Sequence, residues 1–415
     1  MSHISSFFKK LTAVLTVCSA VCFIAVFGYS NSLPESFLVT RGQEFSLQND
    51  VISTVRVFPD DLAVGESRSS ELSYTVSLKL FGVMPIKEVS VSVVDRPTLI
   101  PCGTPFGIKM FTKGVMVVSL TEVESGGRTY NPAVAAGLRI GDIILEANGE
   151  EVKSNEHVSS IISGSGGKPI VLIVQRNEQK LKMTVTPIRS DKDSEYKAGI
   201  WVRDSSAGVG TATFYDPETK LFAGLGHAIC DVDTGELLPL SSGELVDVSI
   251  LGVTKSKSGT PGELVGAFAS RIAFGKLYAN TQAGVFGTSD RCPVSSAPVK
   301  LALKQEIKEG KAYILTTLDK NVVERFEISI ERISLAADNP TKNMIIRVTD
   351  ENLIKRTGGI VQGMSGSPII QDGQLVGAVT HVFVNDPTKG YAIFAENMLE
   401  TAQGVAESNK LKDAS

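Results

Sequence analysis

Basic clusters, paired cysteines and histidines are all scarce in this chain. The net charge is −4, and no lysine- or arginine-rich block is present that could neutralise several phosphates. That excludes an ordinary nucleic-acid-binding protein. Of five cysteines, Cys18 and Cys22 fall in the apolar N-terminal stretch. Cys102, Cys230 and Cys292 are left over, an odd number with no Cys-x-x-Cys, which argues against a disulfide framework or a zinc site. The histidines number four, and none forms His-x-x-x-His or His-x-x-Glu-His, so no metal or cofactor is expected. Tryptophan occurs once, as Trp201. Long helical periodicities are absent beyond the N-terminus.

What is present is an apolar N-terminus followed by β-patterned chain. Lys9 and Lys10 precede an uncharged run from Leu11 to Tyr29. As a helix that run would span about 28 Å, close to the ~30 Å of a bilayer core. The flanking lysines favour a cytoplasmic N-terminus, with the remainder outside. An uncleaved signal-anchor is therefore expected, with a cleaved signal peptide as the rival. Residues 30–55 read as a linker. Ser73–Phe81 and Val89–Val94 alternate as strands of a small β unit. Gly114–Leu120, Ile143–Ala147 and Ile170–Arg176 read as strands, Pro132–Gly137 and Asn155–Ile162 as short helices, and Asn148-Gly149 as a hairpin turn.

That order, around Asn131-Pro-Ala-Val-Ala-Ala-Gly-Leu-Arg-Ile-Gly-Asp-Ile-Ile-Leu-Glu-Ala-Asn-Gly149, resembles a PDZ domain of bacterial proteases. The resemblance implies that a peptide adds as a strand beside a helix. Pro105–Lys109 looks like the carboxylate-binding loop, so Phe106, Gly107, Ile108, His157 and Ile161 are the expected peptide contacts. Beyond a polar linker at 190–198, short strands and glycine turns continue to about Ala402, enough for two packed β-barrels.

Gly363-Met-Ser-Gly-Ser-Pro368 carries the chemistry. A serine framed by glycines at a sharp turn can stand clear of the backbone, and the N–H groups of Gly363 and Ser365 can form an oxyanion hole. The motif resembles the nucleophile turn of chymotrypsin-like proteases. Ser365 needs a base. His227, in the glycine-rich Gly224-Leu-Gly-His-Ala-Ile-Cys-Asp231, is preferred to His381, which sits within a strand. The orienting carboxylate is Asp350 or Asp231 on residue grounds; Asp350 could equally be a helix N-cap.

Taken together, the tether, small β unit, PDZ-like region, Gly-His-x-x-x-Asp and Gly-Met-Ser-Gly-Ser-Pro resemble the SpoIVB peptidase family of endospore-forming bacteria. Leu80-Phe-Gly-Val-Met-Pro-Ile-Lys87, Ala198-Gly-Ile-Trp-Val-Arg-Asp204 and Gly390-Tyr-Ala-Ile-Phe394 add to the likeness. The resemblance implies Ser365 as nucleophile, His227 as base and Asp350 as the aspartate. It implies a membrane-tethered endopeptidase between the forespore membranes. Such an enzyme cuts itself and a regulatory subunit of a membrane protease complex, so that a mother-cell sigma factor is activated. The expected fold is mainly β: an anchor over 1–29, a linker and small β unit over 30–99, a PDZ domain over 100–189 and a double-barrel serine peptidase over 190–415. The competing readings are a quality-control protease, which usually places its PDZ after the catalytic domain, and a non-catalytic PDZ scaffold.

Overall fold

The computed structural model describes residues 2–47, 51–57, 73–177, 179–319, 322–336 and 341–413. The N-terminal helix Ser2–Ser32 contains Leu15–Ser32, long and apolar enough to cross a membrane. Lys87 caps its end, its Nζ donating to the carbonyls of Ser30 (3.4 Å) and Leu33 (3.0 Å). The helix leads into the strand Ser36–Thr40, which lies parallel to Met84–Val94. With Ser73–Leu80 and Ile52–Val57 these make a four-stranded sheet. Alternation along Ser73–Leu80 sends Val76, Leu78 and Leu80 into a core shared with Phe37 and Val91. The alternating pattern expected from Val55 to Val94 includes residues 58–72, which lie outside the described residues.

Next comes the first barrel, and it begins earlier than the sequence pattern suggests. The strand Pro105–Leu120 pairs through its first half with Leu240–Thr254 and with Ile200–Tyr215. Leu240–Thr254 pairs with Glu263–Thr281, which pairs with Gly284–Ser289, then Leu221–Gly224, and so back to Ile200–Tyr215. The pairings close on themselves. The PDZ unit is therefore threaded between the first two strands of this barrel, not placed ahead of it. It uses the far half of Pro105–Leu120, the strands Ile143–Ala147, Ile170–Arg176 and Gln179–Val185, and the first residues of Ile200–Tyr215. Its local chemistry is as its sequence dictates. Asn131 caps Pro132–Ala135 and Ser154 caps Asn155–Ser163. Asn148 (φ 54°) and Gly149 (φ 83°) make the primed turn that suits a two-residue hairpin.

The second barrel is Gly310–Thr317, Val323–Ile333, Met344–Val348, Asp386–Phe394, Gln374–Phe383 and Pro368–Gln371 in closed order. Ile314, Phe326, Ile328, Ile346, Ile369 and Val379 fill it. The C-terminal helix Ala395–Asp413 tucks Met398, Leu399 and Ala402 into a cluster with Phe214, Phe286 and Leu375, joining the two barrels.

Candidate active site

The Gly363–Pro368 turn that carries Ser365 is fixed from both barrels. The backbone N–H of Thr211 donates to the Ser365 carbonyl (3.0 Å), and the Thr211 and Thr213 hydroxyls donate to the carbonyls of Gly363 (2.7 Å) and Gly366 (2.8 Å). Gly366 has φ 94°, and a Cβ there would lie 2.0 Å from the Thr211 carbonyl oxygen, so only glycine fits. The carbonyl of Gln362 accepts from Leu264 N (2.8 Å) and that of Met364 from Ser367 N (2.9 Å). A trans peptide points its N–H opposite its C=O. The N–H groups of Gly363 and Ser365 are thereby turned away from these partners, and among the described residues they have no protein acceptor.

Gly363 and Ser365 line a cavity of about 500 Å³ between the barrels, and His227 and His381 line it too. His227 follows Leu225 (φ 68°) and Gly226 (φ 69°). A left-handed leucine is unusual and marks a backbone held under strain by its surroundings. The His227 Nδ1 lies 2.8 Å from the Ala228 carbonyl. Burial holds the imidazole below its ordinary pKa, the Ala228 contact opposing that in part. The Ser365 hydroxyl donates to the Thr380 carbonyl (2.7 Å), not to His227. The His227 and His381 ring centroids are 4.9 Å apart, with the planes tilted by 38°.

The structure does not bring Asp350 to His227. Asp350 caps the helix Glu351–Thr357: one carboxylate oxygen accepts from Leu353 N (3.0 Å), the other from Glu327 N (3.3 Å). Asp231 is also committed. It is buried, paired with Arg203, and accepts from the N–H groups of Asp233 and Thr234 (both 3.0 Å). No carboxylate lines the cavity, and among the described residues none contacts His227. Sequence reasoning missed Asn280. Its side chain accepts from Ile229 N (2.8 Å) and donates to the carbonyls of Ile229 (2.8 Å) and Leu238 (3.0 Å), clamping the loop that carries His227.

The expected carboxylate-binding loop is corrected. Phe106 and Ile108 are buried in the first barrel, Phe106 packing edge-on to Phe222 at 4.9 Å. A Cβ on Gly107 would sit 2.6 Å from the Phe268 ring. Propensity could not separate this strand from a PDZ loop, because one continuous strand serves both units. His157 and Ile161 do lie on the PDZ helix: His157 accepts from Lys153 N (3.4 Å), and Ile161 packs on the PDZ core. That helix faces the start of Ile200–Tyr215, where Asn155 N donates to Asp204 (2.9 Å). Residues Ile200–Arg203 pair on one side only, with Met116–Leu120, and Trp201 is 63% exposed. The single tryptophan after Ala198-Gly199 was the available signal.

Comparison with known proteins agrees with this architecture. Residues 194–399 match the family model SpoIVB peptidase S55, and residues 131–176 match a PDZ domain model. The chain is 33% identical over 91 residues to a putative zinc metalloprotease of Bartonella henselae, covering 22% of this chain and 25% of that protein. It is 32% identical over 72 residues to the probable protease eep of Enterococcus faecalis, covering 17% of each. The chain thus spans a quarter or less of those relatives. Similar solved structures include the Rv3671c protease of M. tuberculosis (14% identity, 48% of this chain and 74% of that one, TM-score 0.28). The PDZ domain of an SdrC-like protein from Listeria monocytogenes is another (22% identity, 22% and 87%, TM-score 0.18). Among the described residues, no group of three or more His, Cys, Asp or Glu is placed to hold a metal ion.

Proposed function

We propose, for a chain that belongs to the SpoIVB peptidase S55 family and is a PDZ-containing serine peptidase, that Ser365 is the nucleophile and His227 its base. The observation that carries this is the nucleophile turn: Ser365 shares a cavity with His227, and the Gly363 and Ser365 N–H groups are left without a protein acceptor. Ser365 Oγ rotates from the Thr380 carbonyl to His227, gives up its proton and attacks the scissile carbonyl. The two N–H groups take the developing oxyanion. His227 returns the proton to the leaving amine, and water then releases the acyl group by the same route. The cavity walls include Ile108, Met110, Leu225, Ile229 and Val361, which suit an apolar side chain beside the scissile bond.

The peptide partner of the PDZ unit adds to the open edge at Ile200–Arg203, beside the helix of His157 and Ile161. The helix ending at Ser32 tethers the enzyme, with the barrels on the extracytoplasmic side. The family likeness supports a role in sporulation signalling: cleavage of itself and of a regulatory subunit of a membrane protease complex, leading to sigma-factor activation. A fluorophosphonate probe tests the chemistry. It should label the wild type and not Ser365→Ala. Loss of sigma-factor processing in cells carrying Ser365→Ala tests the role. Processing that proceeds with the unlabelled variant would leave a peptidase acting elsewhere.

A further inference from the structure

We propose that the hairpin tip at residues 81–84 is a second membrane contact, seated at the headgroup–acyl boundary of the bilayer that the N-terminal helix crosses. The inference rests on the tether reading above. Residues 11–34 carry no charge, and the helix ends at Ser32. Its last turns do not stand alone. Cys22 is half-buried, Ala25, Val26 and Tyr29 pack on the core of the four-stranded sheet, and Leu33 belongs to that core. Residues 11–21 are all that precede this contact, about 16 Å of helix against a hydrocarbon layer of ~30 Å. The rest of the span has the β unit beside it, so part of that unit meets the bilayer. A tip seated ~5–10 Å into the boundary brings the helix within lipid to about 21–26 Å, and Lys9 and Lys10 can snorkel over the remainder.

The register says which part of the sheet this is. Lys87 holds the carbonyls of Ser30 and Leu33, and Ser90 pairs with Ser36 just beyond the helix. Met84 shares a cluster with Ala25, Val26 and Tyr29. Running back from Ser90 through Lys87 to Met84 therefore follows the helix back into its apolar stretch, and the hairpin tip comes next. Residues 80–86, Leu-Phe-Gly-Val-Met-Pro-Ile, are uncharged and lie between Lys79 and Lys87. Phe81 and Val83 are 71% and 82% exposed. Lys87 also pairs with Glu35 (2.6 Å), which sets an ion pair at the water boundary above the apolar tip.

Neither packing nor turn chemistry accounts for Phe81. It has φ 51° and is followed by Gly82 at φ 73°. Asn, Asp or Gly suits such a position, and a bulky residue there is strained. A strained aromatic ring turned out into water gains nothing; turned into the interface it gains apolar burial. The backbone tolerates the move, since Phe81 N donates to the Val51 carbonyl (2.7 Å) and Val83 N to the Leu80 carbonyl (3.2 Å). The seat also reaches the enzyme. Arg96, two residues past the strand Met84–Val94, pairs with Glu306 (2.6 Å) and donates to the Leu301 carbonyl (3.1 Å), so a seated tip fixes how far the barrels stand from the bilayer.

The test uses the full chain in vesicles of phosphatidylcholine and phosphatidylglycerol, with tryptophan fluorescence as readout and bromine-labelled acyl chains as quencher. With Trp201 replaced by phenylalanine, Phe81→Trp is the single reporter. Bromine near the headgroups should quench it more than bromine deep in the chains, and aqueous iodide should reach it about fivefold less than it reaches Trp201 in the wild type. Should Phe81→Trp fail to fold, Val83→Trp carries the same measurement. Adding Phe81→Asn to the Val83→Trp reporter should cut lipid quenching about threefold or more. Asparagine takes a left-handed φ more readily than phenylalanine, so Tm and fluorophosphonate labelling of Phe81→Asn should match the wild type. A reporter that bromine-labelled lipid does not quench, in a chain that floats with vesicles through an alkaline wash, would overturn the proposal and leave the tether standing. Shielding from both quenchers would also overturn it, in favour of a protein contact. A wild-type chain that the wash strips from vesicles would mean instead that the tether reading has failed, and the tip's seat falls with it.

Discussion

Replacing Asp350 by asparagine separates a helix cap from a catalytic carboxylate. Asp350 uses both oxygens on backbone N–H groups, Leu353 N at 3.0 Å and Glu327 N at 3.3 Å. Asparagine caps helices about as well as aspartate, so the Leu353 bond survives. The NH₂ group turned toward Glu327 N loses the second bond, a cost of about 1 kcal/mol. Alanine loses both, about 2 kcal/mol in all. At ~2–4 °C per kcal/mol for a domain of this size, Tm should fall by about 2–4 °C for Asp350→Asn and about 4–8 °C for Asp350→Ala. Peptide hydrolysis at neutral pH should stay within about threefold of wild type for the asparagine variant, since a cap touches no reacting atom. A triad aspartate would behave otherwise: removing its charge costs ~10⁴ in rate, about 5.5 kcal/mol of barrier, at little cost in stability. A fall of that size in Asp350→Asn with Tm unchanged would refute the cap assignment and return Asp350 to the catalytic unit.

Gly107→Leu should abolish folding of the first barrel, because its Cβ alone would meet Phe268 and Val246 within 2.8 Å; soluble yield and both peptide binding and hydrolysis should fall together. Arg203→Ala leaves the buried Asp231 carboxylate without its cation and should destabilise the chain by ~3–5 kcal/mol, read from a urea melt. Activity should have an acid limb below pH ~6.5, the ordinary histidine value, because burial lowers the His227 pKa and the base must be neutral. Stability should follow the same sign: the unfolded chain binds His protons first, so stability present above pH ~6.5 declines as pH falls toward about 4, where His381 titrates in the fold. His381→Gln should flatten that decline in a thermal-melt series.

Local chemistry made much of this molecule legible. The PDZ helices were readable because Asn131-Pro132 and Ser154 are caps, and the hairpin because Asn148-Gly149 favours positive φ. Strands such as Met344–Val348 and Gln374–Phe383 were readable as short apolar runs between turns. The sharp turn at Gly363–Pro368 was readable from its glycines and the apolar strand that follows it, although a Gly/Ser turn by itself also suits an ordinary β-turn. The order of units was not. Pro105–Leu120 and Ile200–Tyr215 each serve the PDZ sheet at one end and the barrel at the other, and nothing in a strand's composition says where its partner changes. The third member of the site was illegible for a related reason. Asp350 at fifteen positions before Ser365 satisfies both a spacing argument and a capping argument, and only the Glu327 and Leu353 contacts separate them.

The shared strand has a geometric consequence for substrate handling. Ile200–Arg203 offers the open PDZ edge, while Ser206–Val209 of the same strand line the cavity and Thr211 holds the turn that carries Ser365. At ~3.3 Å per residue, Arg203 and Gly208 lie about 16 Å apart along one strand. A flexible linker between recognition and catalytic units would let each move separately. Here the spacing is set by a paired strand, bulged between Arg203 and Ser205, and the His227 loop is fastened to that strand by Arg203 through Asp231 and Asp233. On the proposed reading, a substrate segment docked on the PDZ edge would be presented to the cavity from a fixed direction and at a fixed distance. Lengthening the strand by two residues after Ser205 keeps the side-chain alternation but displaces that edge by about 6–7 Å. It should leave hydrolysis of a short peptide intact while slowing cleavage of a protein that engages both sites. Equal loss on both substrates would mean that the strand carries only the barrel, and equal retention that the edge takes no part in presentation.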